Sequence, residues 1–357
     1  MRKIKKGIVA FIIAVMCLSI ITGCGKSGSD SNKSSSGGAE QVETYRVDSS
    51  RISVLTNKGN AYYIGGGLAF SKETVDVDKP TKFLENVKDL VSGHAWIDKN
   101  NDLYIEGVDS INGGHLNEPK KLGGNIVSST PYNLGIVAVD KDGNLYSFGK
   151  EKFNGFDKTY KEFTKIDDIK DVVKVSSSIS NYWFLALTKD GTVYNKKFDK
   201  KFEKVIDNAK DIQGSYIIAK DDEVYYMGNE LTKIGKSLKI GGYIDPGAVK
   251  FVEDKTIARV LWDGKKPKND KETDVLYQQY PKDIKELIYH NISSDKNKDG
   301  KHILKMVYEN MDGDIVLYNV YDCYNINGKT EKNTSKVNKS VDDIAKIWDF
   351  VKVEKKN

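Results

Sequence analysis

The chain has 357 residues, of which 30% are charged and 39% hydrophobic, with a formal net charge of +5 and three cysteines. Arg2, Lys3, Lys5 and Lys6 supply four of the positive charges, which leaves +1 for everything after them. In that remainder Lys is interleaved with Asp and Glu, a pattern that excludes nucleic acid as the main partner, because phosphate binding needs a clustered basic face.

The four basic residues precede an apolar run, Gly7 to Thr22. The run is shorter than the ~20 residues that span a bilayer and suits the core of a signal peptide. It ends Ile21-Thr22-Gly23-Cys24, which resembles the lipobox of bacterial lipoproteins, with Ile21 where leucine is commoner. That resemblance implies residues 1–23 as a lipoprotein signal peptide, lipid (diacylglycerol and palmitate-type chains) on Cys24, and a location on the extracytoplasmic face of the cell membrane. Residues 24–41 are rich in Ser and Gly and nearly free of apolar side chains, so they read as a flexible tether. Cys17 leaves with the signal and Cys24 carries lipid, so Cys323 stands alone, without a disulfide partner in the mature chain. It reads as a small buried hydrophobe.

Residues 42–357 form the folded part, and they repeat. The clearest unit is Asp140 to Gly149, DKDGNLYSFG, between the apolar run Ile136–Val139 and Leu145-Tyr146-Ser147-Phe148. Asp-Gly between two strand-like runs signals a hairpin, because Gly143 accepts the positive φ of a tight turn. Aligned on the tyrosine that follows, copies occur at Leu55–Tyr62, Ile97–Tyr104, Leu187–Tyr194 and Ile218–Tyr225. Looser ones occur at Phe251–Ile257 and Met311–Val316. A short apolar strand alternates with the hairpins: Val87–Val91, Asn125–Val127, Ile169–Val173, Ala209–Ile212, Leu238–Ile240, Ile284–Ile288 and Ile344–Trp348. Recurrence at a period of roughly 30–50 residues marks a repeat architecture.

Seven hairpins alternate with seven short strands. The series opens on a hairpin without a preceding strand and closes on a strand, Val341 to Phe350, without a following hairpin. Bare sheet edges are a liability, and a ring in which the last strand completes the first sheet removes them. The expected fold is therefore all-β: a seven-bladed β-propeller closed by its N- and C-terminal strands, preceded by a signal peptide and a flexible tether.

The run Ala186-Leu187-Thr188-Lys189-Asp190-Gly191-Thr192-Val193-Tyr194 resembles the repeat of the regulator-of-chromosome-condensation family, as does Asp142–Gly149 with Phe148 in place of Trp. The likeness spans most of residues 51 to 228. The family's Gly-Gln-Leu-Gly segment is missing, so the long loops differ. The resemblance implies a seven-bladed propeller. It carries over no exchange-factor activity, since an exported protein meets neither nucleotide-binding switch nor chromatin.

Chemistry-bearing motifs are few. Asp295, Asn297 and Asp299 have the spacing of a calcium loop, yet Ile303 and Met306 stand where further ligands belong, so a polar turn is the simpler reading. Asp98-x-Asn100-x-Asp102 and Asp140-x-Asp142 recur at the turn itself, which argues for turn geometry rather than repeated metal sites. The four histidines show no ligand spacing, Ile234-Gly235-Lys236-Ser237 lacks the first glycine of a phosphate loop, and no nucleophile elbow occurs. No cofactor, metal or catalytic residue is assigned, and carboxylates cannot be paired across blades from sequence. The loops before certain hairpins hold Trp96, Tyr132, Tyr182 and Trp183 amid Ser and Asn, a composition of recognition surfaces. The alternative is that Trp96 and Trp183 fill the space between blades. The functional expectation is a protein- or peptide-binding module at the membrane. The alternative is a binder or hydrolase of carbohydrate or cell-wall ligands that uses the propeller channel.

Overall fold

In the computed structural model the hairpin turns organise six four-stranded antiparallel sheets among the described residues. Those residues are 38–47, 51–66, 77–92, 95–109, 114–132, 135–150, 156, 158–177, 183–197, 200–228, 230–236, 248–250, 257–259, 279–281, 283–292, 303–323 and 330–352. The elements lie in the unit Ala39–Asn357. The signal peptide, Cys24 and most of the tether fall outside the described residues, as do the calcium-loop candidates Asp295, Asn297 and Asp299.

Blade 1 contains β1 (Val42–Val47), β2 (Arg51–Thr56), β3 (Ala61–Gly65) and β4 (Val77–Leu84). Blade 2 contains β5 (Val87–Ser92), β6 (Ala95–Asp98), β7 (Leu103–Asp109) and β8 (Gly114–Gly123). Blade 3 is β9 (Ile126–Tyr132), β10 (Gly135–Asp140), β11 (Leu145–Gly149) and β12 (Tyr160–Ile166). Blade 4 is β13 (Val172–Ser177), β14 (Trp183–Thr188), β15 (Val193–Lys197) and β16 (Glu203–Ile206). Blade 5 is β17 (Ala209–Gln213), β18 (Tyr216–Ala219), β19 (Glu223–Met227) and β20 (Leu231–Lys236). A two-stranded ribbon follows, β21 (Ala248–Lys250) with β22 (Ile257–Arg259). Blade 6 is β23 (Ile284–Ile292), β24 (Ile303–Asn310), β25 (Ile315–Tyr321) and β26 (Glu331–Val337).

The expectation of seven blades is thereby corrected to six. Of the weak hairpin copy at Phe251–Ile257 the described part is Ile257, the first residue of β22, and the ribbon's three-residue strands pair, among the described residues, with each other alone. Its proposed companion, Leu238–Ile240, lies outside the described residues. The closure is also corrected. Val42–Val47 gives the first hairpin its own leading strand, so blade 1 is complete without the chain's end. The segment read as the closing strand is instead a helix, α1 (Ile344–Val351). Ile344, Ile347 and Val351 recur at three- and four-residue steps, the period of a helix face, and all three are buried. They pack with Val42, Ile52, Val54 and Ile64 of blade 1 and with Val307, Ile315 and Leu317 of blade 6. The Val42 amide also donates to the Lys339 carbonyl at 3.0 Å. The ends meet, but through a helix wedged at the seam and not through a shared sheet.

Further cores lie between blades 1 and 2, 2 and 3, 3 and 4, and 4 and 5. Phe184 and Ala186 of blade 4 meet Val137 and Val139 of blade 3, while Leu185 and Leu187, on the opposite face of the same strand, meet Ala209, Ile212 and Ile217 of blade 5. A strand buried on both faces reads as a continuous apolar run, which is why Trp183–Thr188 is WFLALT. First strands pack against first strands of neighbouring blades, as in the β5–β9, β9–β13, β13–β17 and β23–β1 contacts. Outer strands such as Glu331–Val337 are exposed on both faces. The first strands therefore surround the axis and the fourth strands form the rim, the radial plan of a β-propeller.

The turns lock one blade to the next. Asp140 Oδ1 accepts the amides of Asp142 and Asn144, both at 2.9 Å, and Asp98 and Asn310 do the same in blades 2 and 6. Short polar side chains that satisfy turn amides hold the reversal tight. Gly143 has φ +81°, and its carbonyl accepts the amide of Val172, the first residue of blade 4, at 3.1 Å. The equivalent bonds Val87 N–Gly59 O, Ile126 N–Asn101 O and Ala209 N–Gly191 O join blades 1 to 2, 2 to 3 and 4 to 5.

Candidate functional site

The antiparallel meander puts the β-hairpin turns that join the second and third strands of each blade on one face of the ring. The connections between first and second strands lie on the opposite face. Each first strand begins at the turn-bearing face, and in blades 2 to 5 its start is hydrogen-bonded to the previous blade's turn.

All six first strands carry a β-bulge at their second residue. Register slips by one between Val42 and Thr44, Val87 and Asp89, Ile126 and Ser128, Val172 and Lys174, Ala209 and Asp211, and Ile284 and Glu286. The extra residue is unpaired in the ladder and its side chain is re-aimed. Those residues are Glu43, Lys88, Val127, Val173, Lys210 and Lys285, and all six are exposed. They form a ring at the mouth of the axis on the turn-bearing face. Val127 and Val173, on adjacent blades, are 52% and 42% exposed, unusual for valine in a first strand.

One step deeper, polar groups stitch the blades. Lys174 pairs with Asp211 at 2.6 Å between blades 4 and 5. Between blades 3 and 4 the Val175 amide donates to Ser128 Oγ at 3.1 Å, and Thr130 Oγ1 lies 2.8 Å from Ser177 Oγ.

At the seam of blades 1 and 6 the mouth opens into a cleft lined by Glu43, Thr44, Tyr45, Arg46, Gln213, Glu286, Leu287, Ile288, Glu309 and Lys339. It holds about 510 Å³ of atom-free space, including solvent at its opening. Glu309 is held by Lys285 and by Lys339 at 2.8 Å. Burial raises its carboxyl pKa, but the two lysines outweigh that and hold it below the usual carboxylate range. Tyr45 turns toward Glu309. Burial, then the charges of Glu309 and Asp343, push its hydroxyl pKa up, so it stays protonated. That hydroxyl is buried and has no hydrogen-bond partner among the described residues. Arg46 donates from Nε and Nη2 to the Leu90 carbonyl of blade 2, both at 3.4 Å, and makes no ion pair with a described carboxylate. Glu43 makes no hydrogen bond or ion pair with another described residue. Among the described residues no group of three His, Cys, Asp or Glu side chains could hold a metal ion.

The aromatic residues singled out in the sequence are placed differently. Trp96 is 6% exposed, stacks on Tyr104 at 5.5 Å and packs with Leu55, Ala61, Val87 and Leu90 between blades 1 and 2. Trp183 is 7% exposed and packs with Leu185, Ile212 and Met227 between blades 4 and 5. Both occupy the space between blades and offer no face to a ligand. Tyr132 ends β9, opposite Gly135, and Tyr182 lies outside the described residues. The bulge residues and the seam cleft were missed. The one sequence signal for the bulges is the solvent-facing Val or Lys that follows the first residue of the first strand in blades 2 to 6, with Glu43 in that place in blade 1.

No family model matches the sequence, and no curated protein matches it. Among solved structures the chain is similar to Prp20p of Saccharomyces cerevisiae, a yeast RCC1, in a structure described with its binding properties to Gsp1p and histones. The two are 14% identical, with 83% of this chain and 76% of that one covered and a TM-score of 0.42. It is also similar to human WBSCR16, at 15% identity over 49% of this chain and 56% of the human one, with a TM-score of 0.41. A third is the computationally designed Ika8 protein, at 10% identity over 83% and 88% of the two chains and a TM-score of 0.42.

Proposed function

We propose that this chain is a propeller held on the extracytoplasmic face of the cell membrane by lipid on Cys24, and that it binds a protein or peptide at the turn-bearing mouth of its ring. The observation that carries this reading is the bulge repeated in all six first strands, which turns six side chains outward around one opening and leaves Val127 and Val173 exposed side by side in blade order. An apolar centre among charged side chains is the anatomy of a protein-binding surface. Covering the exposed half of each valine against a partner would contribute about 1 kcal/mol each. The tether supports the same reading, since a Ser/Gly linker lets the mouth face partners away from the bilayer.

A photo-crosslinking amino acid placed at Val127 or Val173 in the full chain tests it. A discrete protein adduct in the cell envelope is expected from both positions, and none from Lys332 on the exposed outer strand of blade 6. If positions 127 and 173 give no adduct, or the same adducts as position 332, the mouth is not the binding surface.

A further inference from the structure

The first strand of a propeller blade has one edge paired within its sheet and one that faces the axis, where its amides need other partners. Between β9 and β13 those partners are hydroxyl side chains. Ser128 and Thr130 point at blade 4, since their register partners Val139 and Val137 belong to the core between blades 3 and 4. Ser128 Oγ accepts the Val175 amide and Thr130 Oγ1 accepts the Ser177 amide, both at 3.1 Å. The Ser177 hydroxyl completes the row: it lies 2.8 Å from Thr130 Oγ1 and donates to the Pro131 carbonyl.

The two exposed valines stand at the head of this row. Val127 lies between Ile126, whose amide donates to the Asn101 carbonyl of blade 2 at 2.9 Å, and Ser128, bonded to blade 4. Val173 lies between Val172, whose amide donates to the Gly143 carbonyl of blade 3 at 3.1 Å, and Lys174, whose ammonium pairs with Asp211 of blade 5 at 2.6 Å. Each of these bulges is therefore tied to the blades on both sides. An extra residue in a ladder has no cross-strand bond of its own to fix it, and the ties replace that bond.

We propose that Ser128 and Thr130 are positioning residues for the mouth: through Val175 and Ser177 they hold Val127 and Val173 as one rigid apolar step, on which an apolar side chain of the partner seats without first ordering the surface. This inference rests on the reading of the mouth as the binding surface and adds what fixes its geometry.

Two readouts on the full chain test it. Ser128→Ala combined with Thr130→Val removes both hydroxyls and keeps the shape at position 130. In detergent, the amide order parameters of Val127 and Val173 from nitrogen-15 relaxation should fall from about 0.85, the rigid value, to about 0.6 or lower. Val137, fully buried in blade 3, should keep its own. In cells, adducts from a photo-crosslinking residue at Val173 should fall about tenfold, the scale of ordering one or two interface side chains. Ser128→Thr combined with Thr130→Ser, which restores a hydroxyl at each place, should return both readouts. Should the first pair of changes unfold the chain, Thr130→Val alone gives the same two comparisons. Unchanged order parameters, an unchanged adduct yield, or losses that the restored hydroxyls do not recover would overturn the proposal. Absence of any adduct from the ring with its hydroxyls intact removes the mouth as a binding surface, and the order parameters then decide the positioning role by themselves.

Discussion

Replacing Gly143 and Gly313 by alanine in separate variants isolates the contact between blades. The two glycines occupy the same turn position and have nearly the same backbone, φ +81° and +91°. A left-handed residue with a side chain costs about 1–2 kcal/mol, and the stiffer unfolded chain returns about 0.4–1 kcal/mol. Gly313→Ala should therefore lose about 1 kcal/mol, because a new Cβ there meets nothing within 4 Å. At Gly143 the new methyl stands 3.0 Å from Asp171 Cα and 3.3 Å from its carbonyl carbon. Carbon atoms rest at about 3.5–4.0 Å, so the start of blade 4 has to retreat by roughly half an ångström or more. That strains the Val172 N–Gly143 O bond, now 3.1 Å, whose net worth is about 0.5–1.5 kcal/mol, and overpacking adds about 1–3 kcal/mol. Gly143→Ala should lose about 2–4 kcal/mol. Equilibrium urea denaturation followed by tryptophan fluorescence reads both. Equal losses would refute the claim that this turn seats the next blade.

Asp140 tests the same turn by pH. Burial raises its carboxyl pKa, but donors from Asn144, Tyr146 and Asp142 outweigh burial and hold it below the ordinary value. A lowered folded pKa means the contribution is complete above the unfolded value, about 3.9, and fades as pH falls through the folded one. Asp140→Asn should flatten the acid limb of a stability–pH curve measured by thermal melting, and an unchanged limb contradicts it. Ile347→Ala, at a fully buried helix position between blades 1 and 6, should cost about 2–5 kcal/mol in urea denaturation; a loss below about 1 kcal/mol would show that the helix does not hold the seam. Cys24→Ala should abolish incorporation of labelled fatty acid and leave an unprocessed precursor, and label that still enters the variant places the lipid elsewhere.

What the sequence revealed depended on how local the signal was. The six four-stranded blades all have hairpins that were legible, because Asp140-Lys141-Asp142-Gly143 and its copies carry turn and flanking strands within about ten residues. Blade number was not legible. The seventh copy rested on Phe251–Ile257, whose described part, Ile257, begins one of the ribbon's three-residue strands. Ile344–Trp348 looked like a strand because a five-residue window cannot separate alternation from helical spacing; extending it to Val351 discloses the i, i+3, i+7 face. Val42–Val47 was missed because Glu43, Thr44 and Arg46 break its apolar pattern, and those same residues line the cleft. The cleft was out of reach for a different reason: Arg46, Gln213, Glu286 and Lys339 come together only when the ring closes. Trp96 and Trp183 drew attention by composition, yet their size suits the space between blades.

Closure of the ring at blades 1 and 6 is the step on which both the mouth and the cleft depend. Amide hydrogen exchange on the chain with and without residues 341–357 measures it most directly. In the intact chain Val42–Val47 and Ile284–Ile292 should both be protected. Truncation should release both segments together while Trp183–Thr188, in blade 4 and remote from the seam, keeps its protection. If Val42–Val47 exchanges freely in the intact chain, or if removing the helix leaves both segments protected, the ring is not closed as described.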